Sequence, residues 1–165
     1  MAGSSPARAG ILETSPNSLA FIMIKGSCLC GRVAYEISGP LTDALNCHCT
    51  ICRKAHGAAF RSRATVQAKD FAWTRGESHV TWYCSSPGSY RGFCEACGTP
   101  LLTRFDQTPD VYGLPLGPLD DDPGIKPAAH CHVASKAPWF DISDDLPQYP
   151  DAYGAMEEDH PQAVT

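Results

Sequence analysis

The sequence contains no run of about 18 apolar residues, so no segment of it reads as a membrane-spanning helix. It is also short of positive charge. Lys and Arg number 13 against 18 Asp and Glu, giving a net charge of −5 and a pI near 5.6. That balance argues against a surface built to neutralise phosphates, so neither nucleic acid nor membrane is expected as a partner. A secretory signal is missing as well. The apolar stretch at 19–24 is shorter than the roughly 7 to 15 residues of a signal-peptide core, and no A-x-A cleavage site follows it. A lipoprotein signal ending at Cys28 would need small or aliphatic residues where Lys25 stands. The pattern holds no long amphipathic helix and no internal repeat.

At 165 residues the chain has the usual size of one domain. Residues 1–16 are rich in Ala, Gly, Ser and Pro without periodicity, and Met23-Ile24-Lys25-Gly26 resembles a natural start. Residues 1–22 are therefore read as a disordered leader or upstream extension, residues 23–150 as the folded domain, and residues 151–165 as a loosely ordered tail.

The fold class expected is mainly β, made of short antiparallel strands cut by Gly and Pro. Residues 32–37 alternate, with Val33, Tyr35 and Ile37 on one face. Residues 79–83 place Val80 and Trp82 together, and 60–66, 99–105 and 110–114 are further candidates. Turn chemistry separates them at Ser38-Gly39-Pro40, Thr74-Arg75-Gly76, Ser85-Ser86-Pro87-Gly88 and Asp122-Pro123-Gly124. One short helix is predicted over 51–56, with Thr50 as its N-cap and Gly57 as its stop.

Cysteine is plentiful, with nine residues. The odd count, the missing secretory signal and the spacings favour metal knuckles in a reducing cytoplasm over disulfides. Cys28 and Cys30, in chain read as extended, would turn both thiols to one side. Cys94 and Cys97 form a C-x-x-C knuckle, with Gly98 permitting the reversal. The two pairs make the halves of one four-cysteine zinc site joining distant parts of the chain, the alternative being two isolated reduced pairs.

Cys47, Cys49 and Cys52 offer three ligands with no local fourth, the arrangement of a catalytic zinc with one open position. Two other readings stand beside it: a redox pair at Cys49 and Cys52, or a structural zinc closed by Cys84 or Cys131. Cys84 and Cys131 themselves read as small buried apolar residues, and His130 and His132 as structural. His48, between two ligands, points away and is not assigned to the metal. Arg53 and Lys54 are either solvated or positioned for an anionic substrate. No catalytic side chain beyond the metal ligands is identified.

These residues resemble the GFA family, named for glutathione-dependent formaldehyde-activating enzyme and including centromere protein V. The resemblance rests on Gly26-Ser27-Cys28-Leu29-Cys30-Gly31, Cys47-His48-Cys49-Thr50-Ile51-Cys52-Arg53-Lys54 and Phe93-Cys94-Glu95-Ala96-Cys97-Gly98. It continues through Gly117-Pro118-Leu119-Asp120, His130-Cys131-His132-Val133, Pro138-Trp139 and Asp145-Leu146-Pro147-Gln148-Tyr149, covering about residues 24–150. Cys131 stands where the family usually has an apolar residue. The resemblance implies an Mss4-like β-tent stapled by zinc, with Cys28, Cys30, Cys94 and Cys97 holding a structural Zn²⁺ and Cys47, Cys49 and Cys52 a catalytic one. It further implies a carbon-sulfur lyase that joins glutathione, a small-molecule thiol, to formaldehyde as S-hydroxymethylglutathione. No residue matched here identifies a glutathione site.

The alternative is a non-catalytic zinc-stabilised binding or scaffold domain. A chromatin scaffold should carry a basic extension, and this chain has a neutral leader and an acidic tail. A methionine sulfoxide reductase would need two C-x-x-C pairs and a separate catalytic cysteine, whereas one half-site here is C-x-C.

Overall fold

The computed structural model describes residues 23–153. The expectations for 1–22 and for 154–165 lie outside the described residues. The described residues are mainly β, as the pattern predicts, with ten strands in two sheets among them. β1 (Ile24–Ser27), β2 (Ala34–Ile37) and β5 (Phe71–Arg75) form the smaller sheet, in the order β1-β2-β5. The larger sheet runs β10-β3-β4-β9-β8-β7-β6. Its strands are β3 (Thr42–Cys47), β4 (Arg61–Gln67), β6 (Val80–Ser86), β7 (Ser89–Cys94), β8 (Pro100–Phe105), β9 (Val111–Pro115) and β10 (His130–Cys131). All pairings are antiparallel except β10 with β3, which is parallel. Among the described residues no helix is long and apolar enough to cross a membrane.

Both sheets contribute to one main core. Tyr35 and Ile37 from the small sheet meet Ala64, Val66, Leu101, Leu102 and Leu114 from the large one, and burying such side chains stabilises by roughly 1.5–3 kcal/mol each. Tyr35 stacks on Phe71 at 5.1 Å between ring centroids, and Phe71 meets Tyr112 across the sheets at 5.8 Å. Opposite Tyr35 in the ladder stands Gly26. A Cβ there would lie 2.2 Å from the Tyr35 ring, so the close approach of ring to strand requires glycine. A smaller cluster of Leu45, Cys47, Cys52, Ala129 and Cys131 lies apart from that core, with Cys49 and Tyr149 packed against it.

The short helix, α1, spans Thr50–His56. Its N-cap is Cys49 rather than Thr50: the Cys49 sulfur accepts the Cys52 N–H at 3.3 Å, which the threonine hydroxyl does not do. Gly57 ends the helix in the left-handed region at φ 58, returning its N–H to the Arg53 carbonyl. The chain at Cys28 and Cys30 is not extended as expected. β1 stops at Ser27, and a tight turn follows in which the Gly31 N–H donates to the Cys28 carbonyl at 2.9 Å.

Candidate metal centres

The turn still brings the first two thiols together, with Cys28 Sγ 3.5 Å from Cys30 Sγ. The knuckle after β7 supplies the other pair, closed by the Gly98 N–H on the Cys94 carbonyl at 2.8 Å. Cys30 Sγ lies 3.8 Å from Cys94 Sγ, and the four sulfurs all fall within 4.8 Å of one another. Cys28 and Cys94 are buried and belong to the main core. The Thr99 hydroxyl and backbone beside Cys97 lower that thiol to about 5, favouring the thiolate form that binds metal.

The second group forms where β3 runs into α1. Cys47 closes the strand, Cys49 caps the helix and Cys52 occupies its first turn. Their sulfurs also lie within 4.8 Å of one another. Both sets consist only of thiols at ligand spacing, a donor chemistry that suits zinc. The neighbouring thiols of Cys47 and Cys49 hold the Cys52 thiol well below its usual range, with Arg61 and Arg91 adding to the effect. Arg91 reaches Cys52 directly, its Nη2 donating to the sulfur at 3.6 Å while its Nε donates to Ser85 Oγ at 3.0 Å.

A cavity of about 440 Å³ opens onto this trio. Arg61, Arg63 and Arg91 line it, and among the described residues no carboxylate does. Arg61 is buried and fixed, donating to Thr103 Oγ1 at 3.1 Å and to the Gly113 carbonyl at 3.0 Å. The sequence singled out Arg53 and Lys54 as the cations nearest the ligands. Lys54 instead lines an adjoining hollow with Arg91, and Arg53 lines neither. Arg61 and Arg63 are missed in sequence because they arrive from β4, paired to β3, and Arg91 arrives from β7.

His48 points away from the trio, as expected of a residue between two ligands. Its Nε2 meets His130 Nδ1 at 2.7 Å, and His130 Nε2 meets Asp144 Oδ2 at 3.1 Å. Burial, with His130 beside it, pushes His48 down to about 4, so a neutral ring packs between Phe60 and Phe140. His130 thus links His48 to Asp144. Cys84 is exposed rather than buried, its thiol donating to the Ser86 carbonyl at 3.3 Å. Cys131 is buried as predicted, yet not merely apolar filling: with His132 and Cys47 it makes a further group of ligand atoms within 4.8 Å.

These cysteine turns define a class of small β proteins with two metal-competent thiol clusters. The family model described as "Glutathione-dependent formaldehyde-activating enzyme" matches residues 23–135, and the chain belongs to that GFA family. A curated relative from Halomonas elongata is 27% identical over 129 residues, covering 73% of this chain and 82% of its own length. Its name is "Putative glutathione-dependent formaldehyde-activating enzyme". A crystal structure of a Rhodobacter sphaeroides protein is 29% identical, with a TM-score of 0.49, covering 62% of this chain and 97% of its own.

Proposed function

We propose that this chain is a zinc enzyme of carbon-sulfur chemistry, a lyase-type catalyst that combines a small acidic thiol with an aldehyde. Glutathione and formaldehyde, giving S-hydroxymethylglutathione, are the substrates that the family's description suggests. The observation that carries the reading is the three-thiol group at the mouth of a cavity lined by guanidiniums. In this reading Cys28, Cys30, Cys94 and Cys97 hold a structural Zn²⁺, and Cys47, Cys49 and Cys52 a catalytic one. The folded unit is 23–150, and nine free thiols suit a cytoplasmic setting.

Zinc bound by the trio would supply an open position in which a thiol loses its proton readily and remains a nucleophile for a small carbonyl. The chain's own residues do the rest. Arg63 and Arg91 bind a carboxylate of the thiol substrate by charge-assisted hydrogen bonds. Arg61, anchored on Thr103 and Gly113, fixes the cavity wall. The substrate sulfur adds to the aldehyde carbon, and the thiol proton ends on the new hydroxyl.

Titration of the cobalt-substituted protein with glutathione tests this. A saturable change in the visible spectrum is expected. No response to any thiol, with cobalt in the trio, would leave a non-catalytic scaffold as the better reading.

A further inference from the structure

Cys131 is the one buried cysteine that neither proposed site uses. It stands on β10 directly opposite Cys47 in the parallel ladder, so the two side chains leave the sheet on the same face. The register is held on both sides of the pair by the Asn46 N–H on the Ala129 carbonyl and the His48 N–H on the Cys131 carbonyl, each at 2.9 Å. Its ligand atom lies within 4.8 Å of Cys47 Sγ, so the trio and the Cys47, Cys131, His132 group meet at one shared sulfur. All four cysteines line the same cavity.

From this placement we propose that Cys131 is a fourth sulfur ligand of the metal at Cys47, Cys49 and Cys52, closing that site while no substrate thiol is bound. A cysteine sulfur has only χ1 to set, so a single rotamer governs whether Cys131 faces the trio. Charge supports a thiolate there. A divalent ion with four thiolates leaves two negative charges uncompensated, and among the described residues three guanidiniums and no carboxylate line the cavity. His132 lies in the same group but presents nitrogen from a left-handed residue at φ 56, one position beyond the strand pairing. The ladder aims Cys131, not His132, alongside Cys47.

The consequence for catalysis rests on the function proposed above. With a metal held there, a substrate thiol would take the place of Cys131, handing its proton to the released Cys131 sulfur. Sulfur number and charge at the metal are unchanged.

Cadmium NMR of the reduced full chain loaded with two equivalents of cadmium, without added thiol, tests the ligand assignment. Two resonances in the low-field range of four-sulfur sites are expected. Cys131→Val should shift one of them upfield and leave the other, and His132→Gln should move neither. Cys131→Ser gives the same readout if the valine variant does not fold. A wild-type spectrum with one three-sulfur resonance, or a shift caused by His132→Gln instead, would overturn the proposal. Added glutathione separates the two claims. A four-sulfur wild type that glutathione leaves unchanged, with no turnover, keeps Cys131 as ligand and removes the enzymatic reading. A three-sulfur wild type that glutathione converts to four does the reverse.

Discussion

Cys30 Sγ and Cys94 Sγ lie 3.8 Å apart although 64 positions separate them in the chain. A metal joining them would tie the turn after β1 to the knuckle after β7, and structural zinc can contribute about 10–16 kcal/mol in small metal-dependent domains. Cys97→Ser is therefore expected to abolish cooperative folding. Cys49→Ser breaks a group confined to one short segment and packed in the smaller cluster, so most β-structure should survive while metal-dependent chemistry is lost. Thermal unfolding, zinc content and turnover of the two variants side by side check this. Equal unfolding of both would make the trio structural.

Metal content follows the same division. Purified in reducing buffer, the chain should hold close to two zinc ions. Mild chelation should remove the ion at the cavity first, halving the zinc while the far-ultraviolet circular dichroism stays native. Harsher chelation should unfold the chain. A reproducible value near one before any chelation, with full activity, would contradict the two-site reading.

Arg63 lines the cavity from β4. Arg63→Ala should raise KM for glutathione about tenfold, the scale of one charge-assisted hydrogen bond, and leave an uncharged thiol such as 2-mercaptoethanol unaffected. Arg91→Ala should lower kcat as well, because Arg91 touches Cys52. Steady-state kinetics with both thiols reads the difference.

Gly26→Ala places a methyl group where the Tyr35 ring sits, at 2.2 Å. Overpacking of this kind costs about 1–3 kcal/mol. Urea unfolding of the zinc-loaded variant should show a loss in that range with activity per folded molecule preserved.

The chemistry of this protein was more legible in its sequence than its architecture. The thiol clusters announce themselves because a metal ligand set needs particular side chains at short spacing, and Cys94-x-x-Cys97 carries its own turn. β3 and β7 were not foreseen, since neither Thr42–Cys47 nor Ser89–Cys94 alternates cleanly: the last four residues of β3 are all buried, and β7 buries only Gly92 and Cys94, at its end. β1 and β5 are short and pair on either side of β2, Ile24 and Phe71 opposite Ile37, Gly26 and Trp73 opposite Tyr35. The arginines of the cavity were hidden for the same reason. Arg53 and Lys54 adjoin the ligands in sequence, but strand pairing brings Arg61, Arg63 and Arg91 to them in space. Cys131 read as apolar because its partner, Cys47, is reached only through a parallel pairing of two residues.

The central claim is that the trio handles a thiol and an aldehyde together. Exchange NMR with carbon-labelled formaldehyde and glutathione measures it most directly, by comparing the rate of S-hydroxymethylglutathione formation with the uncatalysed rate. The wild-type zinc-loaded protein should accelerate exchange in proportion to its concentration, and Cys49→Ser, folded and holding its structural zinc, should not. Equal rates for wild type, Cys49→Ser and buffer would contradict the account.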